Sequence, residues 1–316
     1  MLSESNLTST AGLLKALEFN IIENKKSQRE LKDLALINVG LPKNINTYPY
    51  LTIFPTKETI RRTYTGGISD VIRTFRFSVT SYTNNAKTSI GQSSGIVNNL
   101  KNLFEKKRSS YFWKIKSLNT GETIISDVAI KDIVSSNPIN LKDNFFITTY
   151  IDIDFLTHSK INSISNFHPS ELTETNPKEL TKITNDILEK YKDSVLNEVK
   201  MFRYGIIEPL NNSKFPLVST VMGNSNITQE LSSVDTYKAN LTILLFNETF
   251  SFQYSIYQNL DIIDKIRSVI YGNRYFLNKC YDYKIGDITY NIHEWNGQML
   301  YVSQLDIETK SYEKLG

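Results

Sequence analysis

Residues 44–51 read NINTYPYL and residues 211–218 read NNSKFPLV, and the strand-like runs downstream of each decide the fold. The aromatic–Pro pairs Tyr48-Pro49 and Phe215-Pro216 lie 215 minus 48, or 167, positions apart. The same offset carries the alternating run RTFRFSVTSYT (73–83) onto NLTILLFNETF (240–250). Phe75, Phe77 and Val79 alternate with Arg76 and Ser78, the period of a half-buried strand. Two landmarks agreeing on one offset mark an internal repeat.

The elements around these landmarks come in the same order twice. In the first half, Leu13, Leu14, Leu17, Ile21 and Ile22 recur at helical spacing. A strand is expected over 48–54, ended by Pro55, and a turn at Gly66-Gly67. The strand 74–83 follows, then a polar loop at 84–95. A second helix over 96–104 closes on Lys106, Lys107 and Arg108, where the helix dipole favours cations. Strands at 112–117, 123–130 and 145–156 complete the half. In the second half, Ile183, Ile187, Leu188, Tyr191, Val195 and Val199 predict a helix over about 178–202. Strands are expected at 215–222 and 237–246, separated by Gly223 and a polar loop. Leu260, Ile263, Ile266, Val269 and Ile270 predict a helix ended by Gly272. Strands at 281–285 and 287–292, joined by a tight turn at Gly286, precede a last strand at 300–307. The halves also end alike, Ile151-Asp152-Ile153-Asp154 against Leu305-Asp306-Ile307-Glu308. The expected class is α+β, with two similar domains, each an antiparallel or mixed β-sheet with helices packed on one face. Their expected bounds are 1–164 and 179–316, separated by a polar, proline-containing linker at 165–178.

Composition narrows the chemistry. With 316 residues, 40 % apolar and 22 % charged, the chain is long enough for two cores and too apolar for disorder. Its 36 Lys+Arg nearly balance 33 Asp+Glu, which argues against a phosphate-neutralising surface over the whole molecule. The lone Cys280 excludes an internal disulfide and a Cys-rich zinc site. The N-terminal MLSESNL lacks the basic start and apolar run of a secretory signal, and no stretch reaches the ~20 apolar residues of a membrane span. His158, His168 and His293 are scattered, without metal-ligand spacing, and each reads as an exposed or hydrogen-bonded imidazole. There is neither a phosphate-cradling glycine loop nor a Gly-x-Ser-x-Gly elbow, although a Ser-His-Asp triad leaves no required spacing in a sequence. No cofactor, metal or enzymatic activity is expected.

Two patterns remain. Asp152/Asp154 and Asp306/Glu308 place two carboxylates side by side on one strand face. They read as the solvated face of a strand whose other face holds Ile151, Ile153, Leu305 and Ile307, with cation binding or acid–base hydrolysis as the alternative. If they lined a channel, they would repel a passing polyanion. Arg61, Arg62, Arg73, Arg76, Lys106, Lys107 and Arg108 lie near Tyr64, Phe75, Tyr111 and Trp113. A nucleic-acid-binding role for the segment from Arg61 to Trp113 is the alternative function, since interleaved cations and rings bind single strands.

The order helix, aromatic–Pro strand, hairpin, strand, amphipathic helix, paired strands resembles the tail terminator and tail completion proteins of tailed bacteriophages. The residues that carry the likeness are 48–53, 75–83, 96–104 and 145–155 in the first half. In the second they are 215–218, 237–246, 260–270 and 300–307. The resemblance implies a virion structural protein that assembles into a ring at a tail end or head–tail neck, terminating the tail and docking neighbouring virion proteins. Family members generally carry one such domain per chain, so this chain would form rings of three or six copies. Genomic DNA would be a partner only in transit through the lumen, and no membrane partner is implied. The polar loop 84–95 and the segment 63–71 are expected to order on contact with other virion proteins. The candidate interface residues are therefore Gly66, Gly67, Asn84, Asn85, Lys87, Gln92, Asp152, Asp154, Asp306 and Glu308.

Overall fold

Long alternating runs such as 144–160, where every second side chain is apolar or a small hydroxyl, can bury one face only, and here they form sheets covered by helices on that face. The computed structural model describes residues 8–25, 31–40, 46–64, 68–106, 115–116, 124–141, 143–161, 177–205, 213–230, 234–248, 252–273, 280 and 282–314. The chain is mixed α+β and divides into two compact units, residues 1–160 with 251–256 and residues 161–250 with 257–316.

The first unit contains α1 (Thr10–Asn24), β1 (Leu36–Val39), β2 (Tyr50–Thr63), β3 (Ile68–Thr83), α2 (Ala86–Lys106), β4 (Ile125–Ser135), β5 (Ile139–Leu141) and β6 (Asn144–Lys160). Its strands run β1-β2-β3-β6-β4, with β5 added to the start of β6. β1 is parallel to β2 and every other pair is antiparallel. α1 starts at Ser9, whose hydroxyl accepts the Gly12 amide at 3.0 Å, a side-chain N-cap. Leu13, Leu14, Leu17 and Ile21 are fully buried. Phe75 and Phe77 of β3, Phe155 of β6 and Phe104 of α2 meet with ring centroids 5.7–6.4 Å apart in tilted and edge-to-face contacts. Such pairs add directionality to apolar burial.

The same covered face holds a buried ion pair. Arg73 and Glu58 are 0 % and 1 % exposed, with Arg73 Nε 3.3 Å from Glu58 Oε2. Thr10 Oγ1 accepts from Arg73 Nε at 2.9 Å and donates to Glu58 Oε2, and Arg73 Nη1 donates to Thr157 Oγ1. The pair thus ties α1, β2, β3 and β6 together. Arg73 Nη2 has no hydrogen-bond partner among the described residues.

The second unit contains α3 (Pro177–Lys190), β7 (Met201–Tyr204), β8 (Leu217–Glu230), β9 (Val234–Glu248), α4 (Phe252–Gly272) from residue 257 onward, β10 (Asp282–Trp295) and β11 (Gln298–Lys314). Its strands run β7-β8-β9-β11-β10, with β7 parallel to β8 and the rest antiparallel. Leu260, Ile263, Ile266, Val269 and Ile270 of α4 are all fully buried. Asn259 Nδ2 reaches the Tyr301 carbonyl at 3.1 Å, and Asn273 Nδ2 contacts Tyr191 Oη at 3.2 Å.

Several expectations need correction. Pro55 does not end its strand: β2 continues to Thr63 through a bulge between Pro55 and Lys57, and Thr56, which the ladder skips, donates to the Thr74 carbonyl at 3.2 Å. A bulge tolerates the missing proline donor. From Ala86 on, the expected polar loop 84–95 is instead the first half of α2. Asn85 caps it, its Oδ1 accepting from the Lys87 and Thr88 amides at 2.9 and 3.3 Å. Ser89 and Ser93 continue the buried stripe with hydroxyls in place of methyls, bonded to the Phe145 carbonyl and Thr149. In the segment 63–71, Thr63 belongs to β2 and 68–71 to β3, with Tyr64 just past the end of β2. The polar stretch after Gly223 is β8 carried on past a bulge between Met222 and Ser225. The turn at Gly286 is likewise a bulge inside one long strand, β10; a Cβ there would lie 3.1 Å from the Asp306 carbonyl oxygen, a tight approach that favours glycine. The true turn is Asn296-Gly297, both with positive φ (49° and 74°). The α3 helix stops at Lys190 and continues as turns to Glu198. Its first residues, Pro177 and Lys178, fall in the expected linker, of which 165–176 lie outside the described residues. Both aromatic–Pro bonds, Tyr48-Pro49 and Phe215-Pro216, are cis.

Candidate functional site

Helices α1 and α2 cover the face of the first unit's sheet that holds Arg73, Phe75, Thr149 and Phe155, through the contacts of Thr10, Phe104 and Ser93. The alternate residues of β3 and β6 project from the other face, and there the candidate acidic residues lie. Asp152 receives a two-pronged hydrogen bond from Arg76, Nε to Oδ1 at 2.8 Å and Nη2 to Oδ2 at 2.9 Å. The same guanidinium stacks 4.2 Å from the Tyr150 ring centroid. The Asp152 hydrogen bond is the main reason the Arg76 guanidinium holds its proton more tightly than usual. Asp154 accepts from Thr74 Oγ1 at 2.6 Å and faces Lys131 Nζ at 3.2 Å.

The second unit has a similar arrangement with different partners. Asp306 accepts from Thr242 Oγ1 at 2.9 Å and from Gln304 Nε2 at 3.0 Å, while Glu308 pairs with Lys238 Nζ at 2.7 Å. The ladders place the two acid pairs at matching positions. Tyr50 pairs with Thr80, and four residues before Thr80 stands Arg76, opposite Asp152. Leu217 pairs with Phe246, and four residues before Phe246 stands Thr242, opposite Asp306. Each carboxylate is half-buried and met by a cation, hydroxyl or amide of its own sheet. That is the chemistry of a polar sheet face, and no cluster of metal-ligating residues occurs among the described residues.

The remaining candidates are scattered. Gly66 and Gly67 lie outside the described residues. Asn84 is exposed in the connection before α2, Asn85 is its cap, Lys87 is exposed on its first turn and Gln92 is partly exposed one turn on. Among the described residues, the basic and aromatic candidates divide between the core and the open face. Arg73 is buried with Glu58, Phe75 is core, Arg76 is held by Asp152, and Arg62 stacks 5.0 Å from the Tyr64 ring centroid. Lys107, Arg108, Tyr111 and Trp113 lie outside the described residues.

Sequence reasoning missed one constellation on the same open face. His158 of β6 pairs directly with Asp70 of β3, its Nδ1 2.9 Å from Asp70 Oδ1. Its Nε2 lies 2.8 Å from Ser126 Oγ on β4. Tyr64 Oη donates to the other Asp70 oxygen at 2.6 Å, and that bond is the leading cause of a raised Tyr64 pKa. The four residues are spread over nearly a hundred positions, so no local motif announces them. At the other end of the face, Tyr82 stacks on Phe146 with centroids 4.3 Å apart, and Tyr48 packs against both. Ile139 and Leu141 of β5 and Val134 of β4 are exposed beyond them. No helix among the described residues is long and apolar enough to cross a membrane. Comparison with protein-family models matches none, and comparison with curated protein sequences gives no significant match.

Proposed function

We propose that the chain is a tandem copy of one α+β fold and serves as a structural, ring-forming component at a phage tail end or neck. The observation that carries the tandem reading is the shared strand order. Each unit has a helix, a four-residue strand laid parallel to a long hairpin, a 21-residue helix, and a final antiparallel pair inserted with its last strand beside the hairpin. Independent folds have many ways to order five strands, so one order found twice, with acid pairs at matching rungs, favours descent from a single copy. The resemblance to tail terminators then supplies the role.

On this reading, three chains supply six equivalent units, or six chains a ring of twelve. Docking surfaces come from exposed connections and sheet edges, and the work is done by shape complementarity. Asp152, Asp154, Asp306 and Glu308 are matched by partners within their sheets, which reduces the repulsion such a face would offer to DNA in transit. Negative-stain images of concentrated protein test the reading: closed particles with three- or six-fold symmetry and an axial opening are expected. Isolated single chains in every field would refute it.

A further inference from the structure

The geometry points to a reactive serine: we propose that Ser126, His158 and Asp70 form a nucleophilic triad able to cleave short-chain carboxylic esters. This activity does not rest on the assembly reading, and either can fail without the other. A triad is recognised by atoms and roles rather than by chain order. Here the atoms fall in the required sequence. Asp70 Oδ1 lies 2.9 Å from His158 Nδ1, and His158 Nε2 lies 2.8 Å from Ser126 Oγ. A carboxylate can only accept, so Asp70 places the imidazole proton on Nδ1 and leaves the Nε2 lone pair facing the serine hydroxyl.

The supports of the three residues differ in a way that suits their roles. Asp70 and His158 are opposite members of the antiparallel β3–β6 ladder, and their side chains are only 20 % and 15 % exposed. The second Asp70 oxygen is held by Tyr64 Oη, and the His158 carbonyl accepts the Thr8 amide at 2.9 Å. The imidazole is thus positioned from two strands and the chain before α1. Ser126, by contrast, is exposed and is the residue skipped by the β4–β6 register between Ile125 and Asp127. A bulge of this kind re-aims a side chain out of the ladder. Partial burial of the base–carboxylate pair and exposure of the nucleophile is the division that acyl transfer needs. A purely structural polar bridge has no need of an exposed serine lifted by a bulge.

In the reaction, Ser126 Oγ bonds to the ester carbonyl carbon as its proton passes to His158 Nε2. The carbon–alkoxide bond then breaks and the alkoxide leaves with that proton. Water, giving a proton to the same nitrogen, releases the acyl group as a carboxylic acid and restores the serine hydroxyl. Because Ser126 opens directly to solvent, short acyl groups reach Oγ without a binding cleft.

The test uses the full-length protein with a fluorophosphonate probe, which forms an Oγ–phosphorus bond with loss of fluoride, and with p-nitrophenyl acetate as substrate. Native protein is expected to label at the peptide containing Ser126, and urea-unfolded protein is not. Ser126→Ala, an exposed change, removes labelling and esterase activity. His158→Gln lowers both by about 10²–10⁴-fold, the usual contribution of a general base. Asp70 acts through the imidazole, so Asp70→Asn lowers kcat at unchanged KM, and Asp70→Glu recovers part of it. If a His158 or Asp70 variant does not fold, the native-against-unfolded comparison and Ser126→Ala decide alone. No labelling of the native wild type, equal labelling in urea, or activity that survives Ser126→Ala would each overturn the proposal.

Discussion

Replacing Glu58 by Leu is expected to be among the most damaging single changes in the first unit. The carboxylate sits 1 % exposed against an Arg73 guanidinium that is 0 % exposed, and Thr10 Oγ1 spans the two. Without Glu58, Arg73 keeps its charge in the covered face with only hydroxyl partners, a situation that costs about 3–5 kcal/mol. Arg73→Met strands Glu58 in the same way and should cost a similar amount. The double variant Glu58→Leu/Arg73→Met removes both charges and replaces them with apolar groups. Thr157 retains the Val71 carbonyl as its acceptor at 3.2 Å, so the hydroxyl left unserved is that of Thr10, at about 1–3 kcal/mol. The double variant should therefore lie within about 2–3 kcal/mol of wild type, less destabilised than either single change or at worst equal to it. The coupling between the two sites should be several kcal/mol. Urea unfolding followed by far-ultraviolet circular dichroism reads these differences. Additive costs, with coupling below about 1 kcal/mol, would refute the view that the two charges are dry and mutually dependent.

Three further tests probe features the sequence concealed. Gly91 and Gly95 lie inside α2 on its exposed side with open space where a Cβ would stand, so Gly91→Ala and Gly95→Ala should each stabilise by about 0.5–1 kcal/mol in the same assay; destabilisation would mean the segment is not helical. Asn85→Ala removes the acceptor for two helix N-terminal amides and should cost about 0.5–2 kcal/mol, with Asn85→Asp close to neutral. Burial pushes the Cys280 thiol up to about 11, so at pH 8 only about a thousandth is thiolate, and Ellman's reagent should react slowly with native protein and at once in urea. Rapid reaction of the native thiol would contradict its burial.

The helices and long strands are legible in the sequence because their markers are local. The short strands β1, β5 and β7 carry too few residues to show a period, and the expected helix 178–202 runs over the start of β7. The helix 260–270 can be read from its isoleucines, all of which are buried. The first half of α2 cannot, because its buried positions are Ser89 and Ser93, and a stripe of hydroxyls looks like a polar loop until β6 is seen to offer the Phe145 carbonyl and Thr149 as partners. Gly223 and Gly286 read as turns because glycine punctuates turns more often than bulges, and the close carbonyls of Asn240 and Asp306 that favour glycine belong to other strands. Asn296-Gly297, by contrast, is a dipeptide with a strong hairpin preference, a local signal to which the expectations above assign no turn. The hydrogen bonds of Arg73 and the Ser126–His158–Asp70 line join residues far apart in the chain, brought together only by strand pairing, a bulge and helix packing.

Native mass spectrometry over a range of protein concentrations tests most directly the proposal that a doubled fold works by self-association. A dominant species of three or six chains, unchanged on dilution, is predicted. A mass equal to one chain at every concentration would contradict it.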